Sequence, residues 1–298
     1  ADIDYPFGCQ SGNCGACKSR LLAGEVEMED YSEFALTNDE RDQGQILACC
    51  SIPVADCDVA WLDLEETVQH SQQSLDCEVV AVERATHDIV IIKLKGASGT
   101  LAFSPGQYAA LGFAGQPARD FSMAGEPYGD ILEFHIRAIA DGQVSQYAQT
   151  DVKVGDRVAL SGPMGLAFLR ELHSGPILAV AGGSGLAPMK SIVEAALAKN
   201  MPQAITLYFG AREERDLYLV DHFEALAAKH GNFSFIPVLS DETGATNRYM
   251  DGYKVYTAGP PPMVDAVQAL LERQGGRAED LHADPFYTAH ELAAQKGS

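Results

Sequence analysis

Cys9-Gln10-Ser11-Gly12-Asn13-Cys14-Gly15-Ala16-Cys17 decides how the front of this chain is read. Three thiols at x4 and x2 spacing, with a distant fourth cysteine at Cys49, follow the spacing of plant-type [2Fe–2S] ligation. The geometry behind that spacing is tight: three thiolates must converge on two irons from one short loop. Gly8, Gly12 and Gly15 supply the backbone freedom such a loop needs. A zinc site or buried free thiols are the alternatives, but zinc motifs favour paired CxxC units and only one is present. All seven cysteines fall within the first 77 of 298 residues. They are too few for a disulfide scaffold, and their clustering points to a metal or cluster site in a reducing compartment, with cytoplasm expected.

Outward from that loop, charge is the next signal. The chain carries 42 acidic and 21 basic residues, a net charge of −21. Residues 1–68 hold 15 of the acids and only 3 of the bases. Such acidity argues against nucleic acid and anionic membrane surfaces, and it predicts that a partner offers a basic docking surface. No apolar run approaches the roughly 18 residues needed to cross a bilayer. Hydrophobic content of 46% and charged content of 21% are ordinary for globular domains.

The pattern divides the chain into three domains. Residues 1–68 form the cysteine-bearing domain, and the polar stretch 69–76 reads as a linker. From 77 to 172, short strands at 79–82, 89–94, 107–113, 131–137 and 157–160, punctuated by Gly and Pro, predict a small antiparallel β-barrel with one short helix at 144–149. From 173 to 298 the rhythm becomes strand–helix alternation, which implies a parallel sheet covered by helices. Expected strands lie at 176–181, 205–209, 233–239, 254–257 and 281–283, and expected helices at 189–199, 217–229 and 263–273.

Within that last domain, Gly182-Gly183-Ser184-Gly185-Leu186-Ala187-Pro188 follows a strand and opens a helix. Small residues there let backbone approach a pyrophosphate, and the helix N-terminus favours its charge. Arg212 and Arg215, just after the second strand, could bind a 2′-phosphate and so indicate NADPH; no acid sits at the tip of that strand.

At this point the sequence resembles a known family. The Cys9–Cys17 loop, with Leu47-Ala48-Cys49, is similar to the ferredoxin domain of NADH-dependent oxygenase reductases, the closest likeness being to the naphthalene and benzoate dioxygenase type. The resemblance makes Cys9, Cys14, Cys17 and Cys49 the cluster ligands, with Cys50, Cys57 and Cys77 as bystanders. In the family a hairpin and a helix precede the first ligand, whereas eight residues do here, so an N-terminally incomplete β-grasp fold is expected. Arg119-Asp120-Phe121-Ser122 resembles the superfamily's Arg-x-Tyr-Ser flavin motif. It implies Arg119 on a flavin phosphate, Phe121 on the flavin and Ser122 at its N5. His135-Ile136-Arg137 and Gly142-Gln143-Val144-Ser145 resemble the segments that hold the flavin's phosphates, and FAD is implied over FMN.

The Gly182–Pro188 turn resembles the family's Gly-Gly-Thr-Gly-x-Ala-Pro, with Ser184 for Thr. Gly259-Pro260-Pro261-Pro262-Met263 resembles its second nicotinamide segment, where Ala258 replaces the usual Cys. Gly210-Ala211-Arg212 with Asp216-Leu217-Tyr218 looks like a stretch of NADH-using members, which tips the nucleotide to NADH. Phe286 is implied as the ring that covers the flavin, although eleven residues follow Tyr287 where family members end sooner. The resemblance therefore implies a reductase that passes electrons from NADH through FAD and the cluster to a Rieske-type ferredoxin or a terminal oxygenase. A di-iron monooxygenase or a sugar-deoxygenating dehydrase is the alternative acceptor, and a non-enzymatic redox module is a further one.

Overall fold

In a computed structural model of the chain, residues 12, 15, 17–31, 35–61, 70–239 and 252–288 are described. They carry three main sheets distributed over two compact units, one holding the cysteine-bearing segment and the other the strands from His70 to Phe286, apart from Met164–Leu166.

The first unit contains β1 (Lys18–Ala23), β2 (Val26–Met28), the short helix α1 (Asn38–Asp42), β3 (Gln45–Leu47), β4 (Ser51–Pro53) and β5 (Asp58–Trp61). β1 lies between β3 and β5, antiparallel to both, and β2 pairs with β4. α1 begins with a reciprocal cap. Glu40 donates its backbone N–H to Thr37 Oγ1, and the Thr37 amide donates to Glu40 Oε2 at 2.9 Å. Among the described residues its core cluster is Cys17, Ala35, Leu36, Leu47 and Cys50.

The barrel comprises β6 (Gln73–Arg84), β7 (Ile89–Gly96), β8 (Tyr108–Phe113), β9 (Arg119–Ser122), β10 (Ile131–Arg137), helix α2 (Gln143–Thr150) and β11 (Arg157–Met164). The antiparallel order is β10-β7-β6-β11-β8-β9, and a bridge from Met123 to Phe134 joins its two ends, as the expected barrel requires. One boundary changes. The polar stretch expected as a linker over 69–76 is already strand from Gln73, because Gln73 and Ser74 pair with Gly162 and Ser161 on β11. Those residues are polar because that end of β6 faces water, not because it is a connector.

β7 explains how the barrel meets the next layer. Val90, Ile92 and Leu94 point into the barrel core, while Ile89 and Ile91 join the core of the nucleotide domain. A strand segment covered on both faces is apolar without interruption, and Ile89–Ile92 is such a run, buried at every position. Its neighbour β10 alternates instead: Leu132, Phe134 and Ile136 enter the barrel core, and Glu133, His135 and Arg137 share the opposite face.

The last domain contains β12 (Ile177–Gly182), α3 (Leu186–Ala198), β13 (Ile205–Ala211), α4 (Val220–Lys229), β14 (Phe233–Leu239), β15 (Lys254–Gly259), α5 (Pro261–Arg273) and β16 (Leu281–Pro285). All five strands are parallel, in the order β14-β13-β12-β15-β16. The chain reverses its direction of winding between β12 and β15, the place where such sheets bind ligands at their carboxyl ends. α3 is buried nearly all round, which suits a helix enclosed between a sheet and a second layer. Lys190 donates to Ala124 O and Ser191 to Gly125 O, so that second layer is the barrel.

Candidate functional site

The cysteine loop is partly within the described residues. Gly12 and Gly15 adopt φ of +73° and +70°, left-handed values that a side chain would strain, as the loop reading requires. The Cys49 amide donates to Cys17 Sγ at 3.4 Å, which brings two of the four expected ligands together and orients a donor on a thiolate. Cys9 and Cys14 lie outside the described residues. Cys50, read as a bystander, is closer than expected: its sulfur is 3.5 Å from Cys49 Sγ. Among the described residues the cysteines are unbridged. A thiolate pair with a converging amide and glycine-permitted backbone fits a [2Fe–2S] cluster.

On the barrel, β9 carries Arg119 with its guanidinium exposed, donating to the Ala118 carbonyl, while Phe121 packs partly into the barrel core. Ser122 Oγ donates to Asp284 Oδ2 at 3.0 Å. Asp284, on β16, is the residue the sequence reading missed. Burial pushes its carboxyl up to about 6, the Ser122 bond opposes the shift, and the charge of Asp120 adds to it. The hydroxyl expected at flavin N5 is therefore backed by an acid that changes protonation near neutrality, a pairing suited to holding or relaying a proton at Ser122 Oγ.

Other flavin-site expectations need revising. His135 is not open to a ligand through its ring nitrogens. Nε2 lies 3.0 Å from Glu133 Oε1 and Nδ1 2.9 Å from Tyr218 Oη. Val144 is a core residue of the barrel, leaving its backbone as the part that can serve a cofactor. The Ser145 hydroxyl donates to Gly142 O and accepts from the Ile139 amide, so it organises the start of α2. A Cβ at Gly142 would stand 2.5 Å from that hydroxyl, which explains the glycine. Arg137 pairs with Asp88 (Nε to Oδ2, 2.7 Å), and its Nη1 is 3.1 Å from where a Cβ on Gly183 would sit. It thus lies between the flavin-phosphate segment and the nucleotide turn. The exposed cation of Arg119 and the tight Gly142 loop fit an anionic dinucleotide such as FAD.

The two glycine turns of the last domain lie side by side. Gly182 ends β12 and Gly259 ends β15, at adjacent strand ends of one sheet. Gly183 has φ +57°, and a Cβ on Gly185 would collide with the Ala258 carbonyl. Met263, after the Pro260 start of α5, packs its Sδ 2.7 Å from the position of a Gly182 Cβ. Ser184 is the middle residue of the 3₁₀ turn Gly183–Gly185, and Pro188 is buried in the first turn of α3. This backbone cradle fits a nicotinamide dinucleotide. Gly210 sits at the end of β13, opposite Gly182 on β12 and Val238 on β14, and Arg212 follows it, exposed. Glu213, just past the strand tip, forms an ion pair with Arg215 at 2.9 Å, an acid the tip-of-strand reading overlooked. The Phe286 amide donates to Gly259 O, and its side chain is partly buried against the nucleotide-domain core, so it is tied to the second turn.

Comparison with known proteins follows this layout. The 2Fe-2S iron-sulfur cluster binding domain matches residues 1–54, the oxidoreductase FAD-binding domain residues 76–168, and the oxidoreductase NAD-binding domain residues 179–269. The reductase component of the naphthalene 1,2-dioxygenase system of Pseudomonas putida is 37% identical over 96% of this chain and 90% of its own length. The reductase component of phenol 2-monooxygenase from a Pseudomonas strain is 34% identical over 97% of this chain and 88% of its own. In three dimensions, the chain matches an Amycolatopsis cytochrome P450 reductase with a TM-score of 0.78 and 32% identity, over 95% of this chain and 91% of that one.

Proposed function

The chain belongs to the family of ferredoxin–FAD–NAD oxygenase reductases, NAD(P)H-dependent flavin iron–sulfur oxidoreductases, and from that premise we propose that it serves a ring-hydroxylating dioxygenase. Its acceptor is a Rieske-type ferredoxin or the terminal oxygenase itself. The chemistry supplied by the bound groups is oxidation of NADH by a flavin and single-electron release through a [2Fe–2S] cluster. The observation that carries this reading is one polypeptide with a cysteine loop, a barrel and a parallel sheet whose two glycine turns meet at its winding reversal.

The chain's own residues then divide the work. Cys9, Cys14, Cys17 and Cys49 hold the cluster. Arg119 and the α2 N-terminus hold phosphate, and Phe121 gives the flavin an aromatic neighbour. Ser122 Oγ, backed by Asp284, holds a proton beside the ring, while Phe286 lies by the second turn to cover it. Gly182–Gly185, Pro188, Gly259, Pro260 and Met263 shape the nucleotide cradle. NADH is preferred because the Glu213 carboxylate matches the charge of Arg215 and would repel a 2′-phosphate. No described helix is long and apolar enough to cross a membrane. Cytoplasm is the compartment we assign, because seven cysteines clustered in the first 77 residues in a cluster-ligand pattern suit a reducing environment.

The reading is tested by turnover with purified acceptors. We expect reduction of a Rieske ferredoxin to exceed that of a di-iron hydroxylase or a P450, with kcat/KM favouring NADH over NADPH. Faster turnover with a phenol-type hydroxylase would favour the monooxygenase role of the 34%-identical relative. A preference for NADPH would overturn the nucleotide assignment.

A further inference from the structure

The outward face of β10 presents three polar side chains in register, Glu133, His135 and Arg137, to the nucleotide domain. The middle one is fully enclosed, with its side chain at 0% exposure. Glu133 also draws in Lys190 from α3, Nζ to Oε1 at 3.3 Å. On the other side of the junction stands Tyr218, from the loop between β13 and α4, buried and packed edge-on against both His135 and Phe209. Its hydroxyl lies 2.9 Å from His135 Nδ1 and 3.5 Å from the carbonyl of Gly183, the turn that would carry the nucleotide's pyrophosphate.

The proton positions follow from the donors available. Glu133 is held as a carboxylate, its pKa near 2: burial alone would raise it, but the His135 bond and the charges of Lys190 and Lys93 outweigh that. A carboxylate only accepts, so His135 Nε2 carries the ring's proton, and the single hydrogen of Tyr218 Oη is shared between two acceptors, His135 Nδ1 and the Gly183 carbonyl. The result is a directed chain, from buried Tyr218 through fully enclosed His135 to partly buried Glu133, that crosses from the nucleotide domain to the barrel. A buried chain with every member satisfied holds its parts in one geometry.

We propose that Tyr218 is a positioning residue for the reductase reaction: with His135 and Glu133 it clamps the Gly183 turn to the barrel and so sets how the nicotinamide nucleotide meets the flavin. The role goes beyond nucleotide binding, because the clasp touches the turn's carbonyl from outside the cradle. Transfer between two bound groups depends steeply on their alignment, so a loosened clasp slows the chemical step more than it weakens binding.

The inference rests on the nicotinamide–flavin reading, and the test separates the two. In the holoenzyme, stopped-flow bleaching of the flavin by NADH is followed for wild type, Tyr218→Phe, His135→Val and His135→Gln. FAD content, NAD⁺ affinity by calorimetry and thermal midpoint are measured alongside. Tyr218→Phe keeps the ring and its packing and loses only the hydroxyl. We expect its limiting bleaching rate to fall about three- to tenfold, the scale of one hydrogen bond, with FAD content unchanged and NAD⁺ affinity within about threefold. His135→Gln, whose amide can accept from Tyr218 and donate to Glu133, recovers most of the rate that His135→Val loses. A limiting rate in Tyr218→Phe within twofold of wild type overturns the proposal, as does a His135→Gln no better than His135→Val. A wild-type flavin that NADH does not bleach would overturn the underlying reductase reading instead.

Discussion

The two compact units hold themselves together in different ways. The unit from His70 onward has two large apolar clusters, one filling the barrel and one joining α3 to one face of the parallel sheet. Among its described residues, the cysteine-bearing unit has one small core cluster, Cys17, Ala35, Leu36, Leu47 and Cys50, and two of those five are thiols. So small a core supplies little stability without a staple, and metal binding becomes folding free energy. The contrast predicts that the larger unit keeps its fold without cofactors, whereas the cysteine-bearing unit depends on its cluster.

The sharpest way to break that contrast is to remove the cluster. Cys14→Ser should leave NADH-driven ferricyanide reduction largely intact and lower cytochrome c reduction by more than about a hundredfold, since single electrons then lack their outlet. Calorimetry of the same variant should split unfolding into an early transition for the cysteine-bearing unit and an unshifted one for the rest. Coincident loss of both activities, or a single lowered transition, would show that the units are not independent.

A backbone lesion tests the larger unit next. Gly185→Ala places a Cβ against the Ala258 carbonyl, where neither strand end can easily give way. It should cost about 1–3 kcal/mol of stability, as overpacking does, and weaken NAD⁺ binding, both measurable in one melting series with and without nucleotide.

Asp284 gives a pH signature within that unit. Its folded pKa is raised from 3.8 to about 6, so its contribution to stability is fully present below the ordinary value and is lost as pH rises through about 6. Wild type should therefore lose about 2–3 kcal/mol across that window relative to Asp284→Asn, at 1.36 kcal/mol per unit. The variant should also lack a leg near pH 6 in the rate of flavin bleaching. Parallel melting curves of the two proteins from pH 4 to 7 would remove Asp284 from the account.

The smallest effect concerns the acidic unit's surface. With 15 acids against 3 bases in residues 1–68, reduction of a basic acceptor should slow several-fold between low and physiological salt, while NADH-driven ferricyanide reduction changes little. Salt-independent transfer to the acceptor would discard the electrostatic docking idea.

Much of this was legible in the chain itself, for physical reasons that differ by element. Thiol spacing and glycine turns are local, so Cys9–Cys17 and Gly182–Pro188 announce themselves within a few residues. Parallel strands such as β13 and β14 follow from apolar runs between helical segments. What stayed hidden is what the topology brings together. Ser122 and Asp284 are 162 residues apart, and His135 and Tyr218 are 83 apart, with no periodicity linking them. The one available hint was on β10, where Glu133, His135 and Arg137 alternate with three apolar residues. Three polar groups on one strand face beside an apolar neighbour such as β7 suggest a covered polar surface. The polar start of β6 misled in the opposite direction, because an exposed strand end and a linker share the same composition.

The central claim is that electrons from NADH enter at the barrel–nucleotide unit and reach the protein acceptor only through the cysteine-bearing one. Anaerobic single-turnover mixing of holoenzyme with NADH, read by flavin absorbance and by the paramagnetic signal of the reduced cluster, tests it most directly. The account predicts flavin bleaching first and the cluster signal after it, with no cluster signal in protein stripped of flavin. A cluster that NADH reduces without flavin, or one that stays oxidised after the flavin has bleached, would contradict it.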